Sequence, residues 1–241
     1  MDIQVLYEDE NIVAVNKPAG LLVHGTGRNK EENLSDWFAE KYPESLGVGE
    51  SLKTNNEIVG RPGIVHRLDR ETSGVILLAK TKEGYEYLKK QFQNRTVVKK
   101  YLAFAYGNVK DNFGSIDAPL GRSKGDFRQY TTPRKARGEM RDALTYYTVK
   151  GRAGGATLLE VMPKTGRTHQ IRAHMASFGH PLVGDRLYGK SMPLLLGFTR
   201  VALHAHQIEF SNLSGTPVLV VAPPPSDFQA ALSVFPGVSV T

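Results

Sequence analysis

His66-Arg67-Leu68-Asp69-Arg70-Glu71-Thr72-Ser73-Gly74 runs directly into Val75-Ile76-Leu77-Leu78-Ala79. The second segment is a short apolar run that reads as a strand. The first is polar, ends in glycine and feeds that strand. It places one carboxylate, Asp69, between Arg67 and Arg70. Nearby positive charge keeps a carboxylate ionised, and an ionised, positioned Asp can serve as nucleophile or base. Asp is equally common in turns, where it satisfies backbone amides. Local chemistry leaves both readings open.

Toward the N-terminus, residues 3–7 and 12–16 alternate as two short strands, joined as a hairpin through Glu8-Asp9-Glu10-Asn11. Lys17-Pro18-Ala19-Gly20 ends the second strand. Leu21-Leu22-Val23-His24 reads as a further extended piece, followed by a flexible Gly25-Thr26-Gly27. A helix is expected over 33–42, capped by Asn33, with Leu34, Trp37, Phe38 and Tyr42 near one face. Residues 43–63 are rich in Pro, Gly, Ser and Asn without periodicity, and read as a surface loop.

Toward the C-terminus, Thr81 is placed to cap a helix over 82–94 whose buried stripe is Tyr85, Leu88 and Phe92. A strand follows at 97–107. Leu102, Phe104 and Tyr106 share one face, and Tyr101, Ala103 and Ala105 share the other. The small residues beside Tyr101 leave room there for a packed helix or a ligand. Residues 111–141 hold many basic side chains, among them Arg122, Arg128, Arg134, Lys135, Arg137 and Arg141, and read as loops and short hairpins. Strands are expected at 142–149 and 156–162. Pro163 to Met175 carries a helix signature, with Thr168 as N-cap, Ile171, Met175 and Phe178 at helical spacing, and Gly179 and Pro181 at the end. Arg167 falls just before that helix. Strands near 200–210 and 217–222 and a helix capped through Ser226-Asp227 close the chain. Hairpins interspersed with a few helices indicate an α+β fold with a large, mainly antiparallel sheet.

The 241 residues exclude several functions. There is no cysteine, hence no disulfide, thiolate metal site or cysteine nucleophile, which fits a reducing cytoplasmic setting. No apolar run approaches membrane-spanning length, and Met1-Asp2-Ile3-Gln4 lacks the pattern of a secretory signal. Phosphate-cradling glycine motifs and Gly-x-Ser-x-Gly are missing. His169 and His174 are five apart, on different faces of a helix, so no metal site is expected. Lys plus Arg is 31 against 24 for Asp plus Glu, a net charge of +7 that suits a polyanionic partner such as nucleic acid.

Five segments, taken together and in order, resemble the RluA-type pseudouridine synthases. They are Asn16 to His24, His66 to Gly74, Lys99-Lys100-Tyr101-Leu102-Ala103, Lys164 to Arg172, and Gly179 to Asp185. The resemblance implies a single catalytic domain over 1–241: a mixed sheet in two halves, flanking helices and a central cleft, without the accessory S4 domain many relatives carry. It implies isomerisation of uridine to pseudouridine in structured RNA, ribosomal or transfer, by a monomer using neither metal nor organic cofactor. By the same resemblance Asp69 is the essential nucleophile or base. Attack at C1′, addition at C6 and Asp-assisted elimination all stay open. Tyr101 would stack on the target base, Arg167 would pair with Asp69, and Ile171 would pack on the uracil ring. Arg67 would fill the gap left by the flipped nucleotide, flipping being needed because stacked bases are inaccessible. His66 and Arg172 fall in the same motifs and are expected on the RNA side.

Overall fold

The computed structural model describes residues 1–25, 31–54, 57–126, 129–132 and 136–238, with the backbone alone at 52–54 and 57–59. The chain forms two compact units: Met1–Val98 with Ala205–Pro223, and Lys99–His204 with the segment from Pro224 on.

In the first unit, β1 (Val5–Glu8) and β2 (Ile12–Lys17) form the expected antiparallel hairpin, and β2 pairs antiparallel with β5 (Ser73–Ala79). Every residue of β5 is buried, as an apolar run without alternation requires. Its other neighbour is β13 (Leu203–Ser211), which pairs antiparallel with β14 (Pro217–Val221). Gly74, at φ +112°, lets β5 approach β13: a Cβ there would lie 2.1 Å from the Ala205 carbonyl oxygen. Two helices begin where their caps predict. Asn33 accepts from the Asp36 amide at the start of α1 (Leu34–Lys41). Thr81 accepts from the Gly84 amide at the start of α2 (Lys82–Gln93).

The stretch 43–63 is not all loop. A 3₁₀ turn at Pro43–Ser45 and a small antiparallel ladder of β3 (Leu52–Thr54) with β4 (Glu57–Val59) lie within it. Three-residue strands are too short for periodicity to reveal. Thr26 and Gly27, read as flexible, lie outside the described residues.

In the second unit, β6 (Val98–Tyr106), β12 (Ala156–Pro163), β11 (Leu144–Ala153) and β7 (Phe113–Asp117) pair antiparallel in that order. Leu102, Phe104 and Tyr106 face a core closed by Phe198, Phe228 and Phe235, where α4 (Ser226–Leu232) packs. Beyond β7, a separate sheet orders as β10 (Ala136–Arg141), β8 (Leu120–Ser123) and β9 (Tyr130–Thr131). α3 spans Gln170–Ser177. Not every expectation for the helices holds: Phe92 of α2 is only half-buried. Phe178 is the C-cap of α3 and 41% exposed, so of the three residues expected on the stripe only Ile171 and Met175 are buried. Pro225, not Ser226, precedes α4, and Asp227 instead holds Arg200 and the Phe228 amide. No helix among the described residues is long and apolar enough to cross a membrane.

Candidate active site

Asp69 sits in a turn built by its neighbours. Ile64 bridges Leu78 antiparallel, so the chain before the turn runs back along β5. His66 continues that register through its side chain: its Nε2 accepts the Leu77 amide at 2.9 Å, and its ring stacks on Phe92 of α2 at 4.6 Å. His66 thus anchors the turn. Leu68 is buried, and the Thr72 amide donates to the Asp69 carbonyl at 3.1 Å. Asp69 is half-buried, while Arg67 and Arg70 are exposed.

Arg70, for which the sequence suggests no role, has a structural one. Its Nε donates to the Gly20 carbonyl at 3.0 Å, and its carbonyl accepts the Gly20 amide at 2.9 Å. Its guanidinium also pairs with Glu31. Beside it lies Lys17, which is fully buried and stands opposite Gly74 in the β2–β5 ladder. The Lys17 Nζ donates to the carbonyls of Pro18, Leu21 and Arg70 at 2.8, 2.8 and 3.1 Å. A buried ammonium is costly unless its donors are met; here they are met by backbone that includes the residue after Asp69. The signal of this in the sequence is a lysine closing a mainly apolar strand. Positive charge gathers near the turn as well. Arg67 acts on both Arg61 and His24, and burial first, then these arginines, holds the His24 imidazole below its ordinary value. Among the described residues the buried Arg61 Nε has no hydrogen-bond partner.

The second unit holds the other candidates. Tyr101 is 9% exposed on β6, opposite Val161 of β12, and its face continues as the fully buried Ala103 and Ala105. Arg167 lies in the β12–α3 connection, which Gln170 organises. The Gln170 Oε1 accepts from the Thr165 hydroxyl at 2.7 Å and the Arg167 amide at 3.0 Å. Its Nε2 donates to the Leu144 carbonyl and the Thr145 hydroxyl, both at 3.0 Å. The helix is therefore entered through Gln170, with His169 left-handed at φ +56°, rather than through a Thr168 cap. The Arg167 Nε donates to the Asp142 carbonyl at 3.0 Å. Ile171 is buried on α3. Arg172 is committed within the fold: its Nε and Nη2 hold Asp185 bidentately at 2.7 and 2.9 Å, and its guanidinium lies over Tyr188.

Arg167 and Gly166 also line a groove of about 570 Å³. Arg122, Arg137, Arg141 and Tyr130 come to it from the small sheet, and the Arg122 guanidinium lies 5.1 Å from the Tyr130 ring centre. Cations beside an aromatic platform are what single-stranded nucleic acid binds. Arg128, Arg134 and Lys135 of the basic stretch lie outside the described residues. His169 and His174 do not converge: the buried His174 makes hydrogen bonds with the Thr145 hydroxyl and the Ala118 carbonyl.

The arginines beside Tyr130 in the second unit suit a polyanionic partner such as nucleic acid, and comparison narrows the class. Residues 11–177 match the RNA pseudouridylate synthase family. An uncharacterized RNA pseudouridine synthase of Synechocystis sp. is 36% identical over 95% of this chain and 68% of its own length. Ribosomal large subunit pseudouridine synthase D of Xanthomonas campestris is 38% identical over 96% of this chain and 69% of its own. The fold is also that of human RNA pseudouridylate synthase domain containing 1, with a TM-score of 0.75 at 22% identity, covering 100% of this chain and 91% of that one. The chain belongs to the RNA pseudouridine synthase family, and within it to the RluA type. It is an isomerase that acts on uridine in RNA.

Proposed function

We propose that this enzyme converts uridine to pseudouridine in large-subunit ribosomal RNA, with Asp69 as its catalytic carboxylate. The observation that carries the substrate class is the 38% identity, over 96% of this chain, to a ribosomal large subunit pseudouridine synthase. Asp69 is supported by its place in a turn pinned by His66, Arg70 and the Lys17 carbonyl cage. A carboxylate that forms or assists a covalent step divides a difficult exchange into easier ones, and its rate depends on being held in one geometry. Tyr101 stacks on the target base, Arg167 serves as the partner of the carboxylate, and Ile171 packs on the uracil. The exposed Arg67 takes the place of the flipped nucleotide in the RNA.

Unmodified large-subunit ribosomal RNA tritiated at uridine C5 tests this. Wild type is expected to release tritium to water, and Asp69→Asn to release none above background. Release from transfer RNA but not ribosomal RNA would refute the substrate class; release by Asp69→Asn would refute the assignment of the carboxylate.

A further inference from the structure

The second unit holds a cation that the roles above leave unused. Lys99 lies on β6 two residues before Tyr101, so the two share a strand face about 7 Å apart. It is half-buried. Its Nζ lies 4.0 Å from the point that a Cβ on Gly166 would occupy, and Gly166 with Arg167 forms one wall of the arginine groove. Gly166 has no side chain to cover the ammonium. Among the described residues no carboxylate pairs with Lys99, and the one charge acting on it is another cation, Lys164. Burial, then that repulsion, draws the Lys99 ammonium down to about 8. A half-buried ammonium beside a second cation is disfavoured, and an anion from outside would relieve both burial and repulsion.

We propose that Lys99 binds a backbone phosphate of the RNA strand at the Gly166 end of the arginine groove, beside the face that carries Tyr101. A phosphodiester fits because a lysine ammonium is a compact point charge for one phosphate oxygen. Arg122 and Arg137 continue the same charge along the groove, where Arg141 is paired with Glu139, and Tyr130 offers a surface for a base. The inference rests on RNA being the substrate, and its test separates it from that reading.

The test compares wild type, Lys99→Met and Lys99→Arg. Binding of a short single-stranded oligouridylate is followed by fluorescence anisotropy across a salt series, with thermal melting and tritium release measured alongside. In Lys99→Met the slope of log affinity against log salt is expected to shrink by about 0.7, the value of one phosphate contact on a single strand. Lys99→Arg keeps the slope. Lys99→Met is expected to melt at or above the wild-type temperature, since an unpaired half-buried charge is gone, and to raise KM for RNA while leaving kcat unchanged. An unchanged slope in Lys99→Met would overturn the proposal, as would a lower melting temperature. So would both variants binding normally but losing kcat, which would mark a neutral amine that carries a proton. Wild type that shows the Lys99-dependent slope yet releases no tritium would refute the uridine isomerase and leave this site standing. Tritium release with no slope change would do the reverse.

Discussion

Replacing Lys17 with methionine should loosen the turn that carries Asp69 without touching Asp69 itself. The substitution keeps the length and apolar stem of a fully buried side chain and removes three donors. The Arg70 carbonyl retains the Gly20 amide, so it stays satisfied. Pro18 is exposed and its carbonyl can turn to water, whereas the Leu21 carbonyl is buried, and an unsatisfied buried acceptor costs about 1–3 kcal/mol. Removing a buried charge returns part of its desolvation penalty. The net loss expected is about 1–2 kcal/mol, a fall in the urea midpoint of about 0.5–1 M for a typical denaturant dependence. The larger effect should be on rate. Arg70 directly follows Asp69, and its carbonyl then loses one of the two donors that fix it. A displacement of about 1 Å at a catalytic group costs about 100-fold, so kcat for tritium release should fall by about that factor under conditions where the variant is folded. Urea unfolding followed by circular dichroism, with release measured in the same buffer, gives both quantities. Full turnover together with stability within about 0.5 kcal/mol of wild type would show that the carbonyl cage neither supports the fold nor positions the carboxylate.

Asp185→Ala leaves the Arg172 guanidinium, 11% exposed, without its bidentate partner, and also strips the Leu187 and Tyr188 amides of an acceptor. Breaking a buried pair from one side costs about 3–5 kcal/mol, readable as a lower melting temperature. The neutral His174 gives a pH dependence. Burial holds its pKa below the ordinary 6.5 despite the opposing Ala118 hydrogen bond and Asp117. A lowered folded-state value favours the neutral form, so its contribution is present above pH 6.5 and is lost as pH falls through the folded-state value. Acid unfolding of wild type should therefore begin below pH 6.5, and His174→Gln should flatten that slope in a pH series of urea midpoints.

The substitutions above fall mostly on residues that the sequence does not single out, and the reason lies in the range of the forces involved. Helix caps act over three residues and strand alternation over two, so Asn33, Thr81 and the two faces of β6 are all legible from the chain. The family motifs are local runs as well, and they carry Asp69, Tyr101 and Arg167 with them. Signals fade where several weak local preferences compete. Thr168 is a good cap residue, yet Gln170 reaches five residues back to Thr165 and about 25 across to Leu144 and Thr145, and that network decides how α3 begins. The ladder of β3 with β4 is too short to announce itself. His66 and Arg172, grouped by motif with the RNA contacts, are seen only in three dimensions to hold Leu77 and Asp185.

By itself the sequence determined the class of fold, the basic charge and the family, because each of these is carried by composition or by contiguous residues. Only the tertiary structure decided what steadies the Asp69 turn. Lys17 meets Arg70 across 53 residues and Arg70 meets Gly20 across 50. A lysine or arginine can satisfy its donors on any carbonyl that folding brings near, and which carbonyl that will be is settled by strand pairing and not by the neighbours in the chain. The same holds for Lys99: in sequence it is one of two adjacent lysines before a tyrosine, and only its surroundings, Gly166 on one side and Lys164 as the nearby charge, distinguish it from the lysine that follows.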